Sequence, residues 1–326
     1  MASRIVTRTA VGASIQTSRG LGLKHNIQDF TTLNQAINER TIVANLPEPI
    51  TSGMEVLPAY DYQTDSDLLS SQYLCIGNGG HKVIVGGNTN GTGGANPSPN
   101  PNVGTSTNAI PFTIPVEHMA TDTGLYNMIP FLGRPVSKGL SISERRDYGL
   151  RRTIMLNGEL WEFYFARKLK RDRLTPTINI THVVDGESST SEFVPTINNL
   201  KPVHPTEDTS YNGSYASVTV PVEVVWNEKQ IQDIRDACRV LYGTENVAII
   251  SEISICSGVE KPITQKYPNS GPQTPVNVAT NTFFEAVACQ VVMHITTYIP
   301  INFSEREYKL EMDFGATEPL YGVKAG

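Results

Sequence analysis

The chain has 326 residues, of which 39% are hydrophobic, and a formal net charge of −6. This length and hydrophobic content allow one large domain or two smaller ones with a real core. The negative charge argues against a general nucleic-acid binder, and no apolar run approaches the length of a transmembrane helix. Gly and Pro are numerous, at 26 and 21 residues, which is typical of strands joined by many turns.

The first part of the chain has little regular apolar pattern. Residues 1–28 contain small residues, Thr and Gly without periodicity, and they predict an extended N-terminal arm. Residues 29–150 predict an irregular α+β region, with a short helix at 29–40 and another near 117–128. Within it, residues 86–109 are almost entirely Gly, Asn, Pro, Ser and Thr, a loop of unusual length for a compact domain.

A glycine-rich stretch, Gly77-Asn-Gly-Gly-His81, separates two short strand-like runs at 73–76 and 82–85. The two runs predict a hairpin. A phosphate-binding loop would end in Gly-Lys-Ser/Thr, and a dinucleotide site would need its own glycine spacing and a following helix. None of these accompanies the stretch, so we interpret its glycines as turn residues.

The strongest local prediction is a β-hairpin at residues 151–168. The dipeptide Asn157-Gly158 favours a two-residue turn with positive φ at both positions, and strand-forming residues flank it. Side chains alternate between two faces along a strand, so one face is expected to be core and the other mixed or an interface. The first face carries Trp161, Phe163 and Phe165, and the second carries Leu160, Glu162 and Tyr164.

The rest of the chain predicts a β-rich domain at 151–326 with one clear helix at 228–241. Asn227 precedes this helix as an N-cap, and Gly243 is placed to end it. Its expected buried stripe is Ile231, Ile234, Cys238 and Leu241. The predicted strands are 177–184, ending at the turn Asp185-Gly186, then 215–225, 247–256, one or two within 283–299, and 308–314. Pro221 predicts an edge or a bulge in the strand at 215–225.

These patterns predict a mainly β (α+β) fold. We expect antiparallel β-sandwich-like sheets with a few short helices, the extended N-terminal arm and long loops. The predicted domains are the arm at 1–28, the irregular region at 29–150 and the β-rich domain at 151–326.

Residues that commonly carry chemistry form no recognisable catalytic or metal-binding motif. Cys75, Cys238, Cys256 and Cys289 include no C-x-x-C pair, so we expect buried free thiols in a reducing compartment. The six histidines lack metal-ligand spacing, and His294, which alternates with apolar residues, is interpreted as a core or interface residue. We therefore expect no enzymatic activity, no cofactor and no metal.

A cluster of basic residues is more informative. Between Arg134 and Arg173 there are eleven Lys and Arg against five Asp and Glu, a local charge of +6 in a chain of −6. Such a region can dock on an acidic face of a neighbouring copy or partner. The alternatives are solvated strand ends with intramolecular ion pairs, and nucleic-acid contact. The candidate interface residues are Arg145, Arg146, Arg151, Arg152, Arg167, Lys168, Lys170, Arg171 and Arg173.

Four stretches resemble structural proteins of tailed-bacteriophage virions: Thr121–Phe131, Ser143–Gly149, Ala248–Gly258 and Phe314–Leu320. Within that group, three features in order over residues 70–170 are similar to baseplate-wedge subunits of contractile-tailed phages. They are the glycine-rich turn, an Asp/Thr/Met-rich segment and an Arg-Arg-Asp-Tyr-Gly run. The chain departs from a common capsid-shell pattern in having no long spine helix. The resemblance implies a non-enzymatic, multi-copy virion component and carries over no functional residue.

From the sequence we expect a structural subunit of a virus particle. The favoured version is a tail or baseplate component that locks neighbouring subunits together through extended arms and strand edges, and the alternative is a head, collar or capsid-associated protein. Its partners would be other virion proteins and copies of itself, in a virion assembled in the host cytoplasm, with no small-molecule substrate, nucleic acid or membrane. A hypothesis of another class is a carbohydrate-binding or glycoside-cleaving β protein that uses Trp161 and Tyr164 as a sugar platform.

Overall fold

The computed structural model describes residues 4–23, 69–84, 112–171, 174–197, 209–267, 279–303 and 307–323. Within them the chain is mainly antiparallel β-structure with three α-helices, which confirms the predicted mainly β (α+β) class. The chain divides into two compact units, residues 1–169 with 228–306 and residues 170–227 with 307–326. This division does not follow the predicted boundaries at residues 28 and 150.

Fifteen strands lie in the described part of the chain. They are β1 (Arg4–Arg8), β2 (Ser70–Gly77), β3 (His81–Ile84), β4 (Phe112–Pro115), β5 (Met128–Ile129), β6 (Leu132–Pro135), β7 (Tyr148–Leu156), β8 (Glu159–Lys168), β9 (Thr177–Val184), β10 (Glu187–Glu192), β11 (Thr209–Trp226), β12 (Ile249–Tyr267), β13 (Ala279–Val287), β14 (Val291–Asn302) and β15 (Tyr308–Val323). The α-helices are α1 (Ala10–Gly20), α2 (Ile142–Arg145) and α3 (Glu228–Tyr242), and short 3₁₀ turns span Val136–Lys138 and Glu245–Val247.

The first unit is built on a nine-stranded sheet. Its main order is β1-β14-β12-β2-β8-β6, with β13 paired to β12, β5 to β2 and β7 to β8. A separate two-stranded sheet consists of β3 and β4. The strand pairs are antiparallel throughout.

The central hairpin is confirmed. Asn157 and Gly158 have φ of 51° and 81°, and Leu156 pairs with Glu159 across the turn, as a mirror-image two-residue turn requires. Phe163 is fully buried, and its ring lies so close to Gly133 that a Cβ there would be 2.6 Å away and 3.4 Å from Ala237 of α3. The predicted core face is therefore packed beneath α3.

The N-terminal segment is not an extended arm, so this prediction is wrong for residues 4–23. Strand β1 pairs with β14, and helix α1 follows it directly. Thr9 caps the helix by accepting a hydrogen bond from the Gly12 amide at 2.9 Å. Gly12 lies against the backbone of Val292, since a Cβ added to it would be 2.3 Å from the Val292 carbonyl oxygen. Small residues let the helix approach β14 closely. Because these residues form no strong apolar period, the sequence did not indicate a helix.

Two other predictions in the first half are wrong. Strands β2 and β3 do not form a hairpin, because β2 pairs with β12, β8 and β5 whereas β3 pairs with β4. Residues 117–128 contain turns and the start of β5 rather than a helix. The predicted helix at 29–40 and the loop at 86–109 lie outside the described residues.

Helix α3 is confirmed, together with its predicted stripe. Ile231, Ile234, Cys238 and Leu241 are all buried. Gly243 has a φ of 77° and donates its amide hydrogen to the Arg239 carbonyl oxygen at 3.0 Å, as a C-terminal glycine does. In the described part of the chain, no helix is long and apolar enough to cross a membrane.

The second unit holds a four-stranded sheet in the order β10-β9-β11-β15. The turn Asp185-Gly186 joins β9 to β10 with φ of 52° and 84°. Pro221 lies where β11 has only β15 beside it, because pairing with β9 ends at Thr219, so the predicted edge position is correct. The buried Trp226 packs near Tyr308 at the other end of this ribbon, with ring centroids 6.1 Å apart.

Candidate interface residues and the buried polar clusters

The nine predicted interface residues do not form one solvent-facing surface. Arg145, Arg151 and Arg152 are buried, Arg167 and Lys168 are half-buried, Arg146, Lys170 and Arg171 are exposed, and Arg173 lies outside the described residues. The three buried side chains cannot contribute to a solvent-facing docking surface, which corrects that part of the prediction. Arg151 lies on the second face of the hairpin, because it pairs with Tyr164, whereas Arg152 pairs with Phe163 on the first face and Arg145 belongs to α2.

That second face is a buried charged cluster around Glu162. Glu162 lies on β8 and is fully buried, and Thr153 of β7 stands opposite it in register. A Cβ added to Gly139 would be 3.1 Å from the Glu162 Oε1 atom and 3.2 Å from the Arg145 Nη2 atom, so carboxylate and guanidinium both lie against that glycine. Burial raises the pKa of Glu162, and the positive charges of Arg151 and Arg145 oppose this rise. The basic residues here balance an internal carboxylate.

Tyr164 lies on the same buried face, which excludes the predicted sugar platform. Its side chain is nearly inaccessible, and burial raises the pKa of its phenol. Trp161 points to the opposite face of β8, where it is half-buried beside Phe163, with ring centroids 6.2 Å apart. The two rings therefore share no solvent-facing surface.

The half-buried and exposed basic residues of the first unit are partly engaged within that unit. Lys168 and Arg146 both form an ion pair with Glu260 of β12, the latter at 3.4 Å between Arg146 Nε and Glu260 Oε1. The Arg167 guanidinium lies 5.7 Å from the centroid of the Phe131 ring, and burial lowers the pKa of Arg167. The alternative prediction of intramolecular ion pairs thus describes Lys168 and Arg146.

A second buried cluster, which no motif of the sequence indicates, surrounds Glu252 of β12. Its Oε1 atom accepts hydrogen bonds from the amides of Gly79 at 3.0 Å and Asn127 at 2.8 Å. Its Oε2 atom accepts from the Tyr126 amide at 3.0 Å and from His118 Nε2 at 2.9 Å. All four strong acceptor positions of this fully buried carboxylate are therefore used.

The glycine-rich turn is explained by this carboxylate. A Cβ on Gly77 would be 2.4 Å from the Asn127 carbonyl oxygen, and one on Gly79 would be 2.5 Å from the Tyr126 Cβ atom. A Cβ on Gly80 would be 2.5 Å from the Ser251 carbonyl oxygen. These glycines allow close approach of three chain segments, since none of them has a positive φ. The glycines have a structural role, as predicted, but the reason is the close packing of neighbouring segments rather than the conformation of a turn.

Two histidines complete the cluster. The His118 ring is stacked between Tyr126 and His294, with centroids 4.3 Å and 3.8 Å away, and its Nδ1 atom lies 3.3 Å from Asp122 Oδ2. The His294 Nε2 atom lies 3.2 Å from the Asp122 carbonyl oxygen, so it must carry the proton of that hydrogen bond. Burial and the neighbouring His118 lower the pKa of His294 to about 4. His294 is thus a neutral core residue, as predicted.

All four cysteines are free and buried, as the sequence predicts. Cys75, Cys256 and Cys289 belong to one cluster of core residues. The Cys256 and Cys75 Sγ atoms lie 3.7 Å apart, and Ser254 Oγ lies 3.3 Å from Cys256 Sγ. Burial raises the pKa of Cys75, which makes its thiolate scarce. Among the described residues, no group of three His, Cys, Asp or Glu side chains is arranged to hold a metal ion.

A family model matches residues 55–325. The chain belongs to DUF7208, a family of unknown function. The match spans both compact units, from before β2 to the end of β15. No curated protein and no solved structure matches the chain.

Proposed function

We propose that the chain is a non-enzymatic structural subunit of a virus particle, in a tail or baseplate assembly of a bacteriophage, and that it binds neighbouring subunits through strand edges. The proposal rests on the edge strands at the ends of the two larger sheets. Strand β10 ends one sheet with all six side chains exposed, and β1 ends the other. A terminal strand presents a row of backbone N–H and C=O groups to which another chain can add a strand.

The buried clusters support a structural role. Glu252 and Glu162 are ionisable groups of the kind that enzymes use, yet both lie in the interior, and Glu252 is saturated by hydrogen bonds from its own chain. A general acid or base has to reach the proton that it transfers. The Glu252 carboxylate instead joins three segments of its own unit through hydrogen bonds, which is a structural use of a buried carboxylate.

The sequence resemblance supports the choice of particle. Two of its stretches, Thr121–Phe131 and Ser143–Gly149, supply Asp122, Tyr126 and Asn127 of the Glu252 cluster and Arg145 of the Glu162 cluster. The proposed partners are copies of this chain and other virion proteins. The alternative is a head, collar or capsid-associated position, and locating the chain within the particle distinguishes the two.

The test combines self-association with location. Size-exclusion chromatography with multi-angle light scattering on the full chain is expected to give a multi-copy species, with or without the other proteins encoded beside its gene. Antibody-gold labelling of particles purified from its source is expected to mark the tail or baseplate. A chain that stays monomeric at every concentration and labels no particle would contradict the proposal. Labelling of heads or collars would select the alternative position.

A further inference from the structure

We propose that Asn157 is a site of spontaneous covalent modification, at which the Asn157-Gly158 turn of the folded chain loses ammonia and becomes aspartate or isoaspartate. The reaction needs only water, and the inference does not depend on the proposed function. It rests on a comparison of three Asn-Gly pairs, which the fold holds in different ways.

The same chemistry is open to every Asn-Gly pair. The backbone nitrogen of the glycine attacks the side-chain carbonyl carbon of the asparagine and gives its proton to solvent. The side-chain nitrogen gains a proton and leaves as ammonia, so that a succinimide ring remains. Water then adds to one of the two ring carbonyls and breaks its bond to nitrogen, which gives aspartate or isoaspartate. Glycine adds no side chain that would block the ring, and asparagine is a thermolabile residue for such reasons.

The reaction is fast only where both reacting groups are free. The asparagine side chain has to turn towards the following nitrogen, so hydrogen bonds to its amide group oppose the attack. A glycine nitrogen that donates its hydrogen to an acceptor is likewise held away from the carbonyl carbon. The ring also needs space, and its opening needs water.

Asn157 and Gly158 meet all of these conditions. Both residues are exposed at the turn between β7 and β8. Leu156 and Glu159 close the turn, so the ladder does not use the Gly158 amide. In the described part of the chain, neither the Asn157 side chain nor the Gly158 amide forms a hydrogen bond. A Cβ added to Gly158 would have no atom within 4 Å, which leaves room for the ring.

The pair Asn78-Gly79 is held at both reacting groups. The Asn78 Nδ2 atom donates to the Val247 carbonyl oxygen at 3.0 Å, and its Oδ1 atom accepts from the Asn127 side-chain amide. The Gly79 amide donates to the buried Glu252 carboxylate at 3.0 Å. This pair should therefore resist conversion as long as the fold is intact.

The pair Asn212-Gly213 separates exposure from hydrogen bonding. Asn212 is exposed, like Asn157. Its Nδ2 atom donates to the Val183 carbonyl oxygen at 3.0 Å, and its Oδ1 atom accepts from the Ser214 amide at 3.1 Å. Exposure alone does not distinguish Asn157 from Asn212, whereas the two hydrogen bonds of the Asn212 side chain do. A fourth pair, at 90–91, lies outside the described residues.

Conversion would change the central hairpin in two ways. Either product adds a negative charge next to Glu159. Isoaspartate also inserts an additional backbone carbon into the turn that fixes the register of β7 against β8. The modified chain is therefore expected to be more acidic and less ordered at this end of the hairpin.

Ageing of the full chain, followed by mass spectrometry of its peptides, tests the inference. The chain is kept at mildly alkaline pH and physiological temperature, then digested with trypsin in water labelled with heavy oxygen. Conversion that occurs during digestion is then recognised by its isotope. Asn157 lies in the tryptic peptide that ends at Arg167. It should convert at least about tenfold faster than Asn78 and Asn212, because two hydrogen bonds of the side chain have to break first at each of those sites.

The same measurement in concentrated urea is the matched control. The three pairs consist of the same two residues, so the unfolded chain should convert all of them at similar rates. If Asn157 converts no faster than Asn78 and Asn212 in the folded chain, the inference is wrong. It is also wrong if Asn157 keeps its full advantage in urea, because the fold would then not be what selects it.

The variant N157G tests the product by a second readout. Gly-Gly also favours a two-residue turn, so the hairpin should form in the variant, and circular dichroism checks the β-structure. Isoaspartate is detected by transfer of a labelled methyl group from S-adenosylmethionine by protein isoaspartate methyltransferase. The peptide that ends at Arg167 should accept the label when it comes from the aged natural chain and not when it comes from aged N157G. An aged natural chain whose hairpin peptide takes up no label would contradict the inference.

Discussion

At the residue scale, the buried Glu252 carboxylate accepts four hydrogen bonds from its own chain. Four donors from three separate chain segments converge on it: the glycine-rich turn, His118 and the amides of Tyr126 and Asn127. Leaving such donors without an acceptor costs the full desolvation free energy of each group. Glu252 therefore determines the conformation of segments that have little regular secondary structure of their own.

E252Q should lower the free energy of unfolding by about 3–5 kcal/mol, because the amide nitrogen of Gln would face donors while the charge is lost. Urea denaturation followed by circular dichroism measures it. E311Q, on the exposed edge strand β15, is the control and should change stability by less than about 0.5 kcal/mol. Equal small effects for both variants would mean that the buried carboxylate contributes little.

The lowered pKa of His294 predicts that the stability of the fold depends on pH. The pKa of His294 is about 4 in the folded chain, against an ordinary value of 6.5 for histidine, so the unfolded chain binds the proton more readily. Its contribution to stability is fully present above pH 6.5, decreases as the pH falls towards 4 and changes no further below that. The full loss corresponds to about 3 kcal/mol.

The measurement is the urea midpoint of the natural chain and of H294F between pH 7.5 and 4. Phe keeps an aromatic ring against His118 but cannot titrate. The natural chain should lose stability more steeply over this interval than H294F. Identical slopes would show that His294 is not held neutral by the fold.

At the element scale, helix α1 depends on one close contact rather than on its own propensity. Gly12 packs on the backbone of Val292, whereas Gly20 at the end of the same helix has no atom within 4 Å of a built Cβ. Alanine favours a helix over glycine by about 1 kcal/mol. The two glycines therefore provide a matched pair in which propensity and packing act in opposite directions.

G12A should destabilise the docking of α1 by about 1–3 kcal/mol despite its better propensity, because the added methyl group overlaps the β14 backbone. G20A should be neutral or slightly stabilising. Hydrogen exchange of the amides in residues 10–20 reports the difference directly. Slower exchange in G12A than in the natural chain would contradict the close packing of α1 on β14.

The elements that could be predicted from the sequence have local causes. Asn157-Gly158 and Asp185-Gly186 favour positive φ by their own chemistry, and the stripe of α3 is a helical period. Helix α1 was missed because its contact with β14 depends on a partner more than 270 residues away. The Glu252 cluster was missed for the same reason, since His118 lies 134 residues from Glu252. The crowded glycines at 77–80 were the available sign of close approach.

The basic cluster shows how a charge count can mislead. Counting gave +6 between Arg134 and Arg173 but could not tell which side chains are internal. Arg151 lies on the Glu162 face because it pairs with Tyr164 across the hairpin. A Lys168→Glu variant would be a poor test of docking, because it would break the ion pair between Lys168 and Glu260. Any loss of assembly in that variant could come from weaker folding rather than from a lost interface.

At the scale of the whole molecule, the four buried thiols report on the integrity of the fold. All of them should be unreactive towards 5,5′-dithiobis(2-nitrobenzoic acid) in the folded chain, and four equivalents should react in concentrated urea. Burial slows the reaction of all four thiols, and the raised pKa values of Cys75 and Cys238 slow theirs further. Rapid reaction of Cys75 or Cys256 without denaturant would indicate that the sheet opens readily around them.

Each compact unit contains one of the two tryptophans, Trp161 in the first and the fully buried Trp226 in the second. Each unit therefore has its own intrinsic fluorophore. W226F leaves emission from the first unit alone, and W161F leaves emission from the second. The two variants can therefore reveal whether the unit formed by residues 170–227 and 307–326 unfolds together with the unit formed by residues 1–169 and 228–306 or separately from it.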